Sequence, residues 1–141
     1  IFRHLLRDRG PNETHAVVRK EKIMAKDTRP KEEVTFDAFA QLDIRTGTIV
    51  EAGPLKGARV PAYRLKVDFG PVIGIKQSSA QITDLYSPEG LIGEQVLGVV
   101  NFPPMYIAGW RSEVLVLGVY TEQGVVLIAP KQKTDNGMIL G

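Results

Sequence analysis

The chain has 141 residues, 43% of them hydrophobic and 24% charged, which fits one globular domain with a substantial core. It contains no cysteine, which excludes disulfides, thiolate zinc sites and a cysteine nucleophile. No apolar run reaches the roughly 18–20 residues that a membrane-spanning helix needs. We therefore expect a cytoplasmic protein without membrane insertion.

The charge divides unevenly along the chain. Residues 1–33 carry nine Lys and Arg against six Asp and Glu, whereas residues 34–141 carry nine against ten. We predict an N-terminal tail over residues 1–33 and one domain over residues 34–141. Two interpretations of the tail stay open: upstream or vector-derived sequence before a natural start at Met24, or a basic interaction arm. Because the predicted domain is not basic, any affinity for nucleic acid depends on where its charges lie.

Short strands dominate the predicted domain. Thr35 is placed to cap a short helix that carries Phe36 and Phe39 on one side. Runs of β-branched or alternating residues then predict strands over residues 44–51, 62–69, 72–76, 95–102, 113–120 and 125–129. Between the third and fourth strands, Ser78 and Gln81 have the spacing of a capping box, which predicts a helix over residues 78–86. Short strands with one helix after the third are typical of the OB-fold, so we predict an all-β, five-stranded Greek-key barrel with short helices.

The predicted domain lacks the groups on which most catalysis depends. Both histidines, His4 and His15, fall in the tail. The carboxylates of residues 34–141 show no spacing typical of metal ligands. We therefore predict a non-catalytic protein with no metal site and no cofactor.

Several polar side chains suit the binding of an extended polymer. Lys76 and Arg111 each precede a polar motif and could meet a phosphate or a peptide carboxylate, while Asn101 could hydrogen-bond a backbone. Ser79 and Gln81 could do the same, although helix capping alone would also explain them. The predicted groove comprises Arg45, Arg59, Lys76, Ser79, Gln81, Asn101, Arg111, Ser112 and Glu113.

Two further features stay open between a binding and a structural interpretation. Glu113 opens an apolar strand, so it is either a polar anchor in the groove or a strand-end residue that faces water. The aromatic residues interleaved with these motifs could stack on bases or pack in a core; they are Tyr63, Phe102, Tyr106 and Trp110. In OB-folds the loop between the first two strands lines the ligand cleft, and here that loop contains Gly57.

Six segments in order carry a family resemblance that covers about residues 34–141. They are Asp43–Val50, Ala58–Leu65, Val67–Pro71, Gly74–Thr83, Val99–Pro104 and Ser112–Gly118. This order resembles the stand-alone tRNA-binding domain family, and within it the CsaA-type proteins. The resemblance implies a homodimeric OB-fold with additional terminal elements at the dimer interface. It also implies binding of tRNA and chaperone-like binding of unfolded or exported preproteins, with the export machinery as a further partner. The alternative is a dedicated export chaperone that binds extended peptides without physiological tRNA binding.

Overall fold

A computed structural model describes residues 28–141; residues 1–27, with both histidines and most of the predicted tail, lie outside the described residues. The described part contains three short helices: α1 (Phe36–Ala40), α2 (Gly70–Ile73) and α3 (Pro88–Leu91). Its strands are β1 (Ile44–Pro54), β2 (Tyr63–Asp68), β3 (Ile75–Ala80), β4 (Gln95–Val99), β5 (Met105–Ile107), β6 (Trp110–Ser112), β7 (Leu115–Val116), β8 (Gly118–Thr121) and β9 (Gly124–Leu127). No helix within residues 28–141 is long and apolar enough to span a membrane.

Five strands form an antiparallel sheet that curls into a nearly closed barrel, in the order β3-β2-β1-β4-β7. The two edges meet where the chain enters β7. There the Glu113 N–H donates to the Gln77 carbonyl at 2.8 Å, and the Ser78 hydroxyl donates to the Val114 carbonyl at 2.8 Å. The prediction of an all-β OB-fold is confirmed.

The barrel is filled by apolar side chains that alternate along its strands. Phe69 is fully buried, together with Ile49 and Leu65. Its ring occupies the space that two glycines leave open, because a Cβ on Gly47 or Gly98 would come within 2.8–2.9 Å of the ring. A bulge in β1 after Ile49 bends the strand, which lets it pair with β2 at one end and β4 at the other.

The predicted helix over residues 78–86 is wrong. Residues 75–80 form β3, and the helix before β4 is instead α3, where the Ser87 hydroxyl accepts from the Gly90 N–H at 3.1 Å. Ser78 is fully buried and uses its hydroxyl to close the barrel. Strand pairing with β2 and closure onto residues 112–114 therefore outweigh the local capping pattern.

Two strand predictions also need correction. Residues 70–73 form the helical turn α2 where the third strand was predicted to begin, and Gly70 there has a φ of 87° that favours glycine. The predicted strand over residues 113–120 divides into β7 and β8, since β8 leaves the barrel to pair with β9 as a separate hairpin.

The chain's last residues return along the start of β1. The Gly137 N–H donates to the Thr46 carbonyl at 2.7 Å, and the Leu140 N–H donates to the Ile44 carbonyl at 2.9 Å. This segment and α1 are the additional terminal elements that the resemblance implied.

Candidate functional site

A cleft lies between the loop of residues 55–62, which joins β1 to β2, and the β5–β6 hairpin. We call it the Gln81 cleft. It has a volume of about 190 Å³ and is lined by Gly57, Ala58, Arg59, Val60, Ala62, Ser79, Gln81, Tyr106, Ile107 and Ala108. The hairpin belongs to the connection between the fourth and fifth barrel strands. These two connections line the ligand cleft in OB-folds, so the Gln81 cleft occupies the usual binding position of the fold.

The hairpin is held firmly against β3. Its turn is Ala108-Gly109, with φ values of 51° and 80°, the positive pair that two-residue hairpin turns favour. On the next strand, the Trp110 indole N–H donates to the Ser78 carbonyl at 2.9 Å, and the Ser112 hydroxyl accepts from the Ser79 N–H at 3.2 Å. One wall of the cleft is therefore fixed by side-chain bonds to the barrel.

The floor of the cleft is polar and buried. Ser79 and Gln81, which line the cleft, and Ser112, which lies behind Ser79, are each 3% exposed or less. The Ser79 hydroxyl donates to the Ser112 hydroxyl at 3.2 Å. The carboxamide oxygen of Gln81 is buried and has no hydrogen-bond partner among the described groups. A buried acceptor without a partner costs about 1–3 kcal/mol, so a ligand donor that reaches this oxygen would remove that cost.

A second cleft of about 170 Å³ lies on the other side of β6, lined by Lys76, Val100, Phe102, Pro104, Arg111, Glu113 and Val114. We call it the Lys76 cleft. Glu113 is anchored there because one carboxylate oxygen accepts from the Gln77 N–H at 3.0 Å. Arg111 lies 3.7 Å from the other Glu113 oxygen and donates to the Tyr106 hydroxyl at 3.1 Å. The hydrogen bond to Tyr106, with a smaller contribution from Glu113, raises the pKa of Arg111 above its ordinary value. Arg111 therefore connects the two clefts and remains charged.

Basic residues are concentrated around these clefts. Of the nine Lys and Arg of residues 34–141, six lie on the 55–62 loop, β2, β3 and β6, and we call these elements the basic face. The six are Lys56, Arg59, Arg64, Lys66, Lys76 and Arg111. Asp68 on β2 and the paired carboxylates Glu51 and Glu113 offset three of these charges. The basic face thus carries 6 − 3 = +3, and the rest of residues 34–141 carries 3 − 7 = −4.

Most of the predicted groove residues come together at these clefts. Arg59, Ser79 and Gln81 line the Gln81 cleft, whereas Lys76, Arg111 and Glu113 line the Lys76 cleft; Ser112 lies between them. Glu113 fits the interpretation as a polar anchor better than that of a strand-end residue facing water, since it accepts from the Gln77 N–H and lines a cleft.

Arg45 and Asn101 line neither cleft. Arg45 binds Asp43 at 2.6 Å and donates to the Gly137 carbonyl at 3.2 Å. The Asn101 side chain accepts from the Asp43 N–H at 2.9 Å and donates to the Gln41 carbonyl at 2.8 Å. Both side chains fasten the terminal elements to the barrel.

β2 contributes two cations beside the clefts that the predicted groove did not include. Arg64 and Lys66 alternate with core residues and share Glu51, at 3.3 and 3.6 Å. The Arg64 guanidinium also lies 5.8 Å from the centre of the Trp110 ring. The alternation in the sequence of β2 places these two cations on one face, but the contact with Trp110 depends on how the hairpin folds over β3.

Comparisons with known proteins agree with this geometry. Residues 44–139 match the family described as putative tRNA binding domain. The crystal structure of the CsaA chaperone protein from Picrophilus torridus is 46% identical, with a TM-score of 0.74, covering 77% of this chain and 100% of that chain. The crystal structure of chaperone CsaA from Bacillus anthracis strain Ames is 47% identical, with a TM-score of 0.70, covering 78% of this chain and 100% of that chain.

Curated relatives match over a small part of their own length. Methionine–tRNA ligase of Methanococcoides burtonii is 37% identical over 108 residues, covering 76% of this chain and 16% of the ligase. The ligase of Methanothrix thermoacetophila is 34% identical over 120 residues, covering 85% of this chain and 17% of the ligase. The chain therefore spans about a sixth of the length of these ligases. From its barrel, its clefts and these matches, the chain belongs to the tRNA-binding domain family and is of the CsaA type.

Proposed function

We propose that this protein is a cytoplasmic, non-catalytic tRNA-binding protein whose functional unit is the domain of residues 34–141. The observation that carries the proposal is the separation of charge, with +3 on the basic face and −4 elsewhere. Binding of a nucleic acid scales with the number of phosphates that are neutralised locally, so a domain with a net charge of −1 can still bind a polyanion on one side. The match to the tRNA-binding domain family supports tRNA as that polyanion.

The basic face suits recognition of backbone and shape. Lys56 and Arg59 lie on the loop that borders the Gln81 cleft, and Arg64 and Lys66 follow β2 beside it. Lysine and arginine contacts to phosphates fix the position of a nucleic acid without reading its sequence. Folded RNA is largely recognised in this way, through its shape and backbone.

The test measures the affinity for total tRNA by gel shift over a range of salt concentrations. The full chain and a chain without residues 1–23 are compared, because the tail of residues 1–33 carries +3 and could itself bind RNA weakly. We expect a steep salt dependence that persists after the deletion. Loss of tRNA binding on deletion would refute the assignment of tRNA to the barrel.

A second candidate function is chaperone-like binding of unfolded or preprotein segments, with the export machinery as a further partner. The apolar walls of the Gln81 cleft favour it, since Val60, Ala62 and Ile107 could hold a side chain of an extended peptide. The CsaA structures to which the chain is similar are titled chaperones. The test is an aggregation assay with an unfolded protein. Suppression of aggregation that changes little with salt, in a protein that fails to bind tRNA, would favour the dedicated export chaperone.

We also propose that the protein is a homodimer. Phe36 of α1 is 75% exposed and Ile139 of the C-terminal segment is 70% exposed, and neighbouring apolar residues extend the surface. The C-terminal segment bonds to the start of β1, and the residue after α1, Gln41, bonds to Asn101 just beyond the end of β4, the strand that pairs with the start of β1. An exposed apolar surface of this kind is typical of an interface between copies. Light scattering should give a dimer for the wild type and a monomer for Phe36→Asp/Ile139→Asp; a monomeric wild type at micromolar concentration contradicts the proposal.

A further inference from the structure

The Gln81 cleft is too small to enclose a large ligand. Its volume of about 190 Å³ lies below the roughly 300–1,000 Å³ of pockets that hold drug-sized molecules. It therefore suits one planar ring or one side chain of a longer polymer. Gln81 lines the cleft, and its buried carboxamide oxygen has no partner among the described protein groups. The occupant should therefore bring an N–H or O–H donor to that oxygen.

The positive charges around the cleft favour a nucleic acid over a peptide as the polymer that supplies this donor. Arg59 lines the cleft itself, Arg111 bonds to the lining residue Tyr106, and the whole basic face carries +3. A neutral peptide segment gains nothing from these cations. A nucleotide would gain affinity from two contacts. Its phosphate is attracted by these cations, and its base can enter the cleft beside them.

We propose that the Gln81 cleft holds a single unpaired nucleobase of a bound RNA. The Gln81 carboxamide hydrogen-bonds the edge of the base, and Arg59 meets the adjoining phosphate. This inference rests on the proposed binding of tRNA and adds a contact to a base that the backbone contacts alone do not require.

The chemistry of the cleft matches a base on three counts. A carboxamide presents an acceptor beside a donor, which complements the donor–acceptor pairs on base edges, as in the pairing of glutamine with adenine. Small apolar walls, Val60 and Ala62 on one side and Ala108 on the other, leave room for a flat ring. Unpaired bases that are splayed out of the stack are the usual targets of sequence-sensitive RNA recognition.

The test compares a labelled single-stranded RNA hexamer that contains all four bases with an abasic hexamer of the same length and charge. The full chain is used, with Gln81→Met as the variant, because methionine keeps the length of the side chain and removes the carboxamide. Gln123→Met, in the exposed turn between β8 and β9, makes the same chemical change outside the cleft. Gln81→Met should not lower the thermal stability, since the oxygen it removes is unpaired. If that variant misfolds, Gln81→Asn serves as a second variant that withdraws the carboxamide by one methylene.

We expect Gln81→Met to weaken binding of the hexamer about tenfold and to leave binding of the abasic hexamer unchanged. Gln123→Met should match the wild type with both. The salt dependence of tRNA binding should not change in Gln81→Met, because no phosphate contact is lost.

Two results would overturn the proposal: equal affinity of the wild type for both hexamers, or equal affinity of wild type and Gln81→Met for the complete hexamer. If tRNA binding keeps its steep salt dependence in that case, only the base pocket fails and the backbone function stands. If the barrel binds no tRNA at all, both fail together. Displacement of the RNA by an uncharged peptide, combined with equal binding of the two hexamers, assigns the cleft to a peptide instead.

Discussion

The position of the cations, rather than the total charge, should determine tRNA affinity. Arg59→Gln/Lys76→Gln removes two positive charges from the two clefts of the basic face. Lys131→Gln/Lys133→Gln removes two from the C-terminal segment, where Lys133 lies beside Gln95 at the start of β4. Both double variants have the same net charge, so any difference between them measures placement alone.

The magnitude follows from the charges on the basic face. Each neutralised phosphate changes the slope of log K against log salt concentration by about −0.9. If all six cations of the basic face contact phosphates, the slope is about −5; if only its net charge of +3 counts, the slope is about −3. Loss of two contacts should reduce the slope by about 1.4–1.8 units. At about 0.1 M salt this corresponds to an affinity about 25- to 60-fold lower. The C-terminal pair should change the slope by much less.

The assay is fluorescence anisotropy with labelled tRNA at five or more salt concentrations. Circular dichroism of each variant shows whether it remains folded. Equal slopes for the two double variants would refute the argument, because the polyanion would then respond to total charge. A wild-type slope near zero would refute it more broadly, since the basic face would neutralise no phosphates.

Three further predictions concern the scaffold. Glu113→Ala should lower the free energy of unfolding by about 1–2 kcal/mol, because it removes the acceptor of the Gln77 N–H; Glu122→Ala in an exposed turn should not, and urea denaturation measures both. Gly98→Ala should cost about 1–3 kcal/mol because its Cβ would lie 2.9 Å from the Phe69 ring, and the loss should shrink in a Phe69→Leu background. Burial raises the pKa of Tyr120, so the unfolded state loses this proton first; stability should fall as the pH rises above about 10, and less so in Tyr120→Phe.

The barrel could be predicted from the sequence because its signals are local and repeated. Alternation in β2 and β-branched runs in the other strands place apolar side chains on one face, and a buried face fixes the register. The cleft beside the 55–62 loop was predictable from the OB-fold alone. The errors arise where a local pattern competes with a distant partner. Ser78 has the spacing of a helix cap, but its hydroxyl is satisfied by Val114, 36 residues away.

The roles of the polar residues depend still more on distant contacts. Arg45 and Asn101 have residue types that suit a binding groove, yet their side chains hydrogen-bond to the carbonyls of Gly137 and Gln41, which lie 92 and 60 residues away along the chain. The hairpin that covers β3 was not predicted from the sequence either. Its turn needs a positive φ at Ala108, and alanine is a residue type that rarely adopts one. Residue type and spacing led to the part of the surface that contains the two clefts, and tertiary contacts decided which of the predicted side chains line them.

A gain of affinity provides the strictest test of the charge argument. Glu51 holds both Arg64 and Lys66, so Glu51→Gln releases two cations and raises the charge of the basic face from +3 to +4. The partners are all at least 37% exposed, so the lost ion pairs should cost little stability. We expect tighter tRNA binding and a slope steeper by up to about 0.9 units. Glu94→Gln makes the same charge change at an exposed position outside the face and should leave the slope unchanged. Weaker binding by Glu51→Gln would mean that Glu51 orients Arg64 and Lys66 for the RNA, in which case their arrangement would matter more than their net charge.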